Sequence, residues 1–547
     1  MLRSVANERP DQVAVATPGK RNKDGKREYD TITFQQLEED SNLLAAGLAD
    51  MGVTPGTRLA LLVRPSIDFV SLVFALFKVG AVSVLIDPGM GRKNLLKCLD
   101  QVEPEGFVAI SIVQAVRVLM GRRYSQAKQN VTVGKRWFWG GETLATLRER
   151  GKSNTSFRPF EAKPDDSAAI IFTTGSTGPP KGVLFRHEGF VQQVYQIRDR
   201  YNIQPGEVDL PGFPLFGLFN SAMGVTSVIP DMDPSRPAQI DPRNVIEAVY
   251  DWNITQAFGS PAIWNKVGLY CEEHDVALPT LRRVLSAGAP VPPHVLRRMK
   301  AAIHPEGELY TPYGATEALP VASTSGTEVL NETEELSKQG GGTCVGKRFS
   351  QINWKVIRID DKPIATISEI EELPQGEIGE LIVSGPVVTR KYYTSEEATQ
   401  LAKIEDGETI WHRMGDVGYL DDKDRFWFCG RKTHRVETAD GPMYTIPCEA
   451  IVNCHEKIYR SALVGIGEFG NQVPVLIAEP WGQEYPNTKQ EIDDLLQELR
   501  ELAAGNPLTE KIEHFLLHPS FPVDIRHNAK IFREKLSIWA TDRLENE

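Results

Sequence analysis

The sequence predicts an α/β protein with a large N-terminal domain of doubly wound sheets, a β-rich subdomain within it, and a small α+β C-terminal domain. Strand and helix patterns alternate over roughly the first 310 residues, which is typical of parallel sheets. After about residue 340 strand patterns dominate, and after residue 430 short strands are joined by two charged helices. A chain of 547 residues is also too long for one hydrophobic core, so more than one domain is expected.

The alternation begins near the N-terminus. Apolar residues at helical spacing behind Thr33, a typical N-cap residue, predict a helix over residues 33–51. A strand at 58–63, a helix at 67–79 and a strand at 81–86 follow. The longest apolar stretch is interrupted by Lys78 and Gly80, which indicates a buried helix and a buried strand. No uncharged apolar run reaches 18 residues, so no integral membrane span is expected.

The same alternation continues through the middle of the chain. It predicts strands at 168–173, 257–259, 284–286 and 308–310, and helices at 187–201, 245–252, 261–273 and 292–302. Residues 321–343, rich in Ser, Thr, Glu and Gly, are expected to form a mobile surface loop. Beyond them we predict strands at 352–360, 379–384, 409–413, 418–420 and 426–429, and helices at 489–503 and 531–544.

Composition excludes several classes of function. The formal net charge of −12 argues against nucleic acid or an anionic membrane surface as the main partner. The six cysteines lack C-x-x-C pairing, which indicates a reducing compartment without a disulfide scaffold or zinc site. The first eleven residues lack the apolar region of a secretory signal. We therefore expect a cytoplasmic globular protein.

The most informative segment is a hydroxyl- and glycine-rich loop that follows an apolar strand. Flexible backbone N–H groups in such a loop can turn toward an anion, and Lys181 adds a positive charge. The loop residues are Thr173, Thr174, Gly175, Ser176, Thr177 and Gly178. The string is not a Walker A motif. It predicts a cradle for the polyphosphate of ATP, and an ordinary Ser/Thr/Gly turn is the alternative.

A second segment, residues 310–317, carries four residue types that an ATP site needs. Tyr313 offers an aromatic face for adenine, Gly314 a tight turn, Thr316 a hydroxyl for phosphate, and Glu317 a carboxylate for Mg²⁺. A strand followed by a capped turn is the alternative interpretation of this string.

Three further residues complete the predicted constellation. Asp416 follows a glycine and can accept hydrogen bonds from vicinal ribose hydroxyls. Arg431 could hold ribose or phosphate at a hinge between domains, although without context a solvated surface arginine is the more common case. Lys530 precedes an amphipathic helix and, taken alone, would be an ordinary surface lysine.

All five signals occur in the order found in adenylate-forming enzymes, and the chain resembles that superfamily of acyl-CoA synthetases, adenylation domains and luciferases over essentially its whole length. The resemblance implies an AMP-binding domain over residues 1–430 and a mobile lid over 431–547. It implies that a substrate carboxylate attacks Mg·ATP, that Lys530 swings in to stabilise the phosphate, and that Lys181, Thr316 and Glu317 assist. It also assigns an adenine-flanking segment, namely Ser286, Ala287, Gly288, Ala289 and Pro290.

Departures from the common acyl-CoA ligase pattern narrow the resemblance. Gly217 stands where such ligases carry a histidine, and Thr433 where Asp or Lys is usual. The strings at 213–220, 228–234, 434–436 and 526–531 look like the β-lactone synthetases of bacterial long-chain olefin biosynthesis. That branch implies adenylation of a long-chain 2-alkyl-3-hydroxy fatty acid and closure to a β-lactone by its own hydroxyl. It also implies a possible complex with a thiolase, a reductase and a decarboxylase.

Alternatives remain open at this point. A long-chain fatty acyl-CoA ligase would need CoA, and an ATP-binding regulatory protein would not need Lys530. His187 and His434 are chemically able to accept the hydroxyl proton, but a structural role is the better expectation for both. Residues 213–224 are apolar and aromatic and are predicted to form a strand beside a pocket. Their composition fits contact with an alkyl chain and ordinary core packing about equally well. The predicted pocket residues are Phe213, Phe216, Gly217, Phe219, Asn220, Met223 and Gly259.

Overall fold

The computed structural model describes residues 1–173, 179–213, 215–523 and 530–545. Two large sheets carry most of the chain up to Arg431, and helices cover and connect them. The predicted mixed α/β class is confirmed, including the β-rich part and the small C-terminal part.

The larger sheet has 14 strands. The strands from Glu308–Ala315 to Val13–Arg21 pair in parallel and the pairs on either side of them are antiparallel, so the β-rich part that the sequence indicated after residue 340 continues the sheet. In spatial order its strands are Asn353–Ile357, Gly379–Ser384, Thr409–Leu420, Arg425–Arg431, Thr343–Arg348, Ala318–Ser325, Glu308–Ala315, Arg283–Ser286, Gln256–Gly259, Val208–Pro211, Thr226–Val228, Val13–Arg21 and Arg27–Thr33, and Lys403–Asp406 pairs with Thr409–Leu420.

The second sheet has seven strands, parallel except for the last pair. The near-continuous apolar sequences of its central strands fit a parallel sheet covered on both faces. In spatial order they are Glu142–Thr143, Gln129–Val133, Gly106–Ile110, Arg58–Leu62, Val82–Leu85, Ser167–Thr173 and Lys181–Arg186.

Within the described chain, the strands after Arg431 pair only with one another. Ile458–Ile466, Val473–Pro480 and His514–Leu517 form a three-stranded sheet, and Val436–Thr438 pairs with Gly441–Met443. Helices Thr445–Val452 and Lys489–Ala504 share a hydrophobic cluster with that sheet, and Arg533–Glu545 packs on it through Leu536 and Ala540.

Local sequence explains where the main helices begin and end. Thr33 and Gln36 form a reciprocal capping box at the start of Phe34–Asp50, as the sequence indicated. Helix Ile67–Val79 starts at Ser66 and ends at Gly80, whose φ of 77° and close approach to Phe160 favour glycine. The other helices of the large sheets are Leu2–Glu8, Arg92–Val102, Ser111–Leu119, Leu144–Ser153, His187–Tyr201, Phe216–Met223, Pro242–Trp252, Pro261–His274, Pro293–Ala302 and Glu396–Ala402.

Two sequence predictions were wrong. Residues 321–343 do not form a loop, because strand Ala318–Ser325 is followed by a helical run over 326–341 with two π-helical turns. Ser325 caps that run, and Arg425 pairs with Glu328 and Glu332 on it. The predicted pocket strand is instead helix Phe216–Met223, which ends at Gly224 with φ 76°. Within the described chain, no helix is long and apolar enough to cross a bilayer.

Candidate active site

A hairpin of the larger sheet brings three predicted residues together. Asp416 and Arg431 are direct cross-strand partners, and Arg431 Nη1 donates to Asp416 Oδ1 over 2.5 Å. The Tyr313 hydroxyl, from the strand Glu308–Ala315, donates to Asp416 Oδ2. Burial and the Asp416 charge raise the pKa of Tyr313 well above 10, so its hydroxyl keeps its proton and donates. The carboxylate of Asp416 is thus fixed in position by two donors.

Glu317 lies in the turn that joins strands Glu308–Ala315 and Ala318–Ser325. The Tyr392 hydroxyl donates to Glu317 Oε1 over 2.7 Å, and the Thr389 N–H and hydroxyl donate to the Glu317 carbonyl over 2.9 and 3.0 Å. Glu317 and Thr316 both line a cavity of about 3310 Å³, which is called the large cavity below. One carboxylate oxygen of Glu317 is therefore oriented by a tyrosine, which suits a carboxylate that holds a cation.

The supporting residues Tyr392, Thr389 and Lys403 were missed by sequence reasoning. Each is more than 70 positions from Glu317, and no spacing in the sequence indicates the contact. Lys403 is buried and donates to the Thr389 hydroxyl over 3.3 Å. Burial lowers the pKa of Lys403 to about 7, and the nearby Glu317 charge opposes that shift. Lys403 and Thr389 therefore hold the backbone of Glu317 through two successive hydrogen bonds.

The ends of the predicted phosphate loop are held together. Thr173 and Lys181 are cross-strand partners in the antiparallel pair that closes the seven-stranded sheet. Lys181 Nζ lies 5.3 Å from the centroid of the Tyr392 ring, which is cation–π distance. Lys181 is therefore close to the tyrosine that orients Glu317. The loop residues Thr174, Gly175, Ser176, Thr177 and Gly178 lie outside the described residues.

The predicted adenine-flanking segment lies at the carboxyl end of strand Arg283–Ser286. All five of its residues, 286–290, line the same cavity as Tyr313 and Asp416. The Ser286 hydroxyl is buried and has no hydrogen-bond partner among the described residues, and Gly288 has a φ of 96°. A buried hydroxyl without a partner on a cavity wall is suited to a polar ligand edge. The segment and the Asp416–Arg431 pair thus face the same cavity.

The C-terminal part contributes to the same cavity. Lys530 lines it together with Asp416 and Arg431, and the predicted string before it, residues 526–529, lies outside the described residues. Three positions on, Arg533 forms two hydrogen bonds with the buried carboxylate of Glu449, at 2.5 and 3.0 Å. Glu449 Oε1 also accepts from the Leu463 N–H over 2.8 Å. This pair fixes the start of helix Arg533–Glu545 and so positions Lys530.

His434 lies between the two parts of the chain. Its Nε2 is 3.7 Å from Glu534 Oε1, beyond hydrogen-bond distance, and the charges of Arg533 and Arg431 face it. Burial and these arginines lower the pKa of His434 to about 3. His434 is therefore neutral in the folded protein at neutral pH.

We expect this burial of neutral His434 to make unfolding pH-dependent. The unfolded chain protonates His434 below its ordinary pKa of about 6.5, whereas the folded chain does so only near pH 3. Stability is thus present above pH 6.5 and falls as the pH drops below it. Between pH 7 and pH 5 the wild type should lose about 2 kcal/mol more than His434→Gln. Urea denaturation at several pH values measures this, and parallel curves would contradict it.

The predicted pocket residues divide into two groups. Phe213, Phe216 and Phe219 line the cavity, and the Phe216 ring stacks on Phe258 with centroids 3.9 Å apart. Gly217, Asn220 and Met223 lie on the buried side of the same helix.

Buried contacts occupy two of these predicted positions. Asn220 Nδ2 donates to Asp209 and Ser227 over 2.6 and 3.0 Å, and burial raises the pKa of Asp209 to about 7. A Cβ at Gly259 would lie 2.9 Å from the Trp264 ring, so glycine is needed there for packing. A role of these residues in substrate contact stays a prediction, and Pro214 lies outside the described residues.

His187 forms part of the cavity wall at the start of helix His187–Tyr201. Its ring lies 5.4 Å from that of Phe77, and its buried Nε2 has no hydrogen-bond partner in the part of the chain that the structure describes. Burial lowers its pKa, so the imidazole is neutral. The structural role expected for His187 stays a prediction.

Comparison with known families agrees with this geometry. The profile that describes the AMP-binding enzymes matches residues 2–393. The chain belongs to the AMP-binding enzyme family. It is accordingly an ATP-dependent, AMP-forming ligase, as the phosphate-loop, Tyr313–Glu317 and Asp416 motifs predicted.

Two AMP-binding enzymes are similar to the chain over its full length. The olefin β-lactone synthetase of Xanthomonas campestris pv. campestris is 46% identical, over 99% of this chain and 97% of its own. The enzyme of the same name from Stenotrophomonas maltophilia is 47% identical, over 100% of this chain and 98% of its own. The long-chain-fatty-acid–CoA ligase FadD13 of Mycobacterium tuberculosis is 25% identical over 83% of this chain and 82% of its own.

Solved structures share the fold at low identity. The amide bond synthetase McbA from Marinactinospora thermotolerans superposes with a TM-score of 0.77 at 20% identity, covering 98% of this chain and 99% of its own. The o-succinylbenzoate CoA synthetase from Bacillus subtilis, in complex with ATP and magnesium, has a TM-score of 0.73 at 19% identity, over 98% of each chain.

Proposed function

We propose that this AMP-binding enzyme converts a long-chain 2-alkyl-3-hydroxy fatty acid into a β-lactone, with ATP consumed to AMP and pyrophosphate. The observation that carries the proposal is identity of 46–47% over the whole chain to two olefin β-lactone synthetases, against 25% to a long-chain acyl-CoA ligase. The second half-reaction then needs no thiol, because the substrate carries its own nucleophile.

In the first half-reaction a carboxylate oxygen of the acid attacks the α-phosphorus of ATP, and pyrophosphate leaves. The Asp416–Arg431–Tyr313 group holds the ribose, and Ser286–Pro290 flank the base. Lys181 and Lys530 offset phosphate charge as it shifts in the transition state. Glu317, oriented by Tyr392, would hold Mg²⁺, whose positive charge would offset negative charge on the phosphates.

In the second half-reaction the 3-hydroxyl oxygen attacks the acyl carbon of the mixed anhydride. The acyl C–O bond to AMP breaks, AMP leaves with the bonding electrons, and the hydroxyl proton is released as the four-membered ring closes. An intramolecular nucleophile has a high effective concentration, which offsets ring strain. The enzyme's contribution is to fold the substrate so that the hydroxyl faces the acyl carbon.

We also propose the division of the chain into an AMP-binding domain, 1–430, and a lid, 431–547, because the strands after Arg431 form their own sheets. The lid would carry Lys530 to and from the nucleotide. Since olefin formation from a β-lactone requires loss of CO₂, a decarboxylase is expected to consume the product. We propose a complex with it and with the thiolase and reductase that supply the acid.

Product analysis tests the proposed reaction. Purified protein is incubated with Mg·ATP and a racemic 2-alkyl-3-hydroxy fatty acid, with and without CoA, and the products are identified by proton NMR. We expect a β-lactone and AMP without CoA, at a rate that CoA does not change. A thioester that forms only with CoA would overturn the proposal in favour of an acyl-CoA ligase.

A further inference from the structure

The large cavity is bounded by both faces of the seven-stranded sheet. From strand Arg58–Leu62 the chain passes through helix Ile67–Val79 to the neighbouring strand Val82–Leu85. It then returns through helix Arg92–Val102 to Gly106–Ile110, on the other side of Arg58–Leu62. Right-handed crossovers in opposite directions place their helices on opposite faces.

The packing agrees with this topology. Leu59 and Leu61 share a core cluster with helix Ile67–Val79, whereas Ala60 and Leu62 share another with Leu95 and Leu96 of helix Arg92–Val102. The reversal of direction makes a crevice at the carboxyl ends of the strands, which is where open α/β sheets bind ligands. Residues from both sides of this crevice, Val63–Ser66 and Ile110, line the cavity.

The cavity therefore has two apolar walls. The inner wall, between the two large sheets, comprises Phe69, Val73, Phe77, Phe190, Phe216 and Phe219. The outer wall, on the opposite face of the seven-stranded sheet, comprises Leu62, Ile86, Leu95, Leu96, Val113 and Val116. Helix Ser111–Leu119 presents Val113 and Val116 to the cavity while Gln114 bonds to the sheet.

The two walls meet where the phosphate loop begins. Successive strand residues point to opposite faces, and Ile171 packs near Phe190 while Phe172 packs with Leu95 and Leu96. The next residue is Thr173, which lines the same cavity as Glu317 and Asp416. The volume of about 3310 Å³ is several times that of an ordinary ligand pocket. A reacting carboxyl group near Thr173 thus faces two apolar spaces.

We propose that the outer wall receives one of the two hydrocarbon chains of the branched acid and that the inner wall receives the other. The proposal rests on the proposed function for the two-chain substrate. It explains why apolar side chains such as Leu95, Leu96, Val113 and Val116 remain partly exposed inside a cavity. A hydrocarbon chain that lies against them would bury this apolar surface, and the gain would grow with the length of the hydrocarbon chain.

Reciprocal blocking tests the two walls. Val113→Trp fills the outer wall and Ala222→Phe the inner one, since Ala222 also lines the cavity there. Leu119→Trp, on the same helix as Val113 but 81% exposed, is the matched control. Two isomeric acids are used: 2-dodecyl-3-hydroxybutanoic acid, with a long branch, and 2-methyl-3-hydroxypentadecanoic acid, with a long tail. Pyrophosphate release at saturating ATP is the readout.

We expect Val113→Trp to lower kcat/KM at least tenfold for one isomer and less than twofold for the other, and Ala222→Phe to show the opposite preference. Exclusion of two methylenes suffices for a tenfold effect. Equal losses on both isomers, or none, would overturn the proposal. If Val113→Trp does not fold, Val116→Phe is judged by the same criterion. Pyrophosphate release reports adenylation alone. A wild type that adenylates the acids but makes no lactone would therefore contradict the proposed function, while the assignment of the two walls could still be tested.

Discussion

Lys530→Ala should lower the rate of adenylate formation by about 10²–10³-fold while changing ATP affinity little. Charge develops on the phosphate in the transition state, and removing one preorganised donor to such charge costs about that much. Lys530 lies on the same cavity as Asp416 and Arg431, and the Arg533–Glu449 pair three residues on fixes its segment. The measurement is the rate of pyrophosphate release at saturating ATP and acid.

Lys535→Ala is the matched control, because Lys535 is an exposed lysine in the following helix, with its amine over the Phe532 ring. Its rate should stay within twofold of the wild type. If Lys530→Ala were to release pyrophosphate at the wild-type rate, Lys530 would be an ordinary surface lysine, and the proposal that a lid carries it to the nucleotide would be wrong. An equal loss in Lys535→Ala would indicate a general charge effect.

Arg533→Ala tests whether Lys530 must be held in position as well as carry its charge. Loss of this arginine leaves Glu449 buried without its partner, which typically costs 3–5 kcal/mol of local stability. Adenylation should fall because Lys530 is no longer held, although its own charge is intact. The sequence marked Lys530 but not Glu449, because a glutamate 81 positions earlier gives no local signal.

Local patterns were sufficient for much of the fold. The capping box at Thr33 and the Ser66–Gly80 helix depend on contacts within a few residues, and the sequence predicted both helices. The run over 326–341 was missed because its polar composition favours a loop, whereas long-range ion pairs from Arg425 to Glu328 and Glu332 hold it helical. Tertiary contacts override composition there.

The candidate site was also predicted in part from the sequence and in part missed. Asp416, Arg431 and Tyr313 were predicted as separate ligands of AMP, and the structure joins them into one hydrogen-bonded group. The hydroxyl of Tyr313 is thereby committed to Asp416, and only its ring remains for adenine. Tyr392, which orients Glu317, could not be predicted because it lies 75 positions away in the sequence and only the tertiary fold brings the two side chains together.

Asp416→Asn should weaken ATP binding by about 100-fold. The variant keeps size and shape but loses the charge that Arg431 faces, and Asp416 is the first cause of the raised pKa of Arg431. A carboxylate can accept from Tyr313, Arg431 and two ribose hydroxyls at once, whereas an amide has one acceptor oxygen. Hydrogen bonds to a charged group contribute about 1.5–3 kcal/mol each, so losing those to the ribose gives an effect of this size.

Isothermal titration with ATP measures the affinity, and Asp422→Asn, an exposed aspartate in the turn of the same hairpin, should bind as the wild type does. Tyr313→Phe sharpens the interpretation, because it removes one donor to Asp416 and leaves the charge. If Asp416 acts through its charge and both oxygens, Tyr313→Phe should weaken binding by less than Asp416→Asn. Equal losses would mean that the Tyr313 hydroxyl alone sets the position of Asp416, and unchanged affinity in Asp416→Asn would place the ribose elsewhere in the cavity.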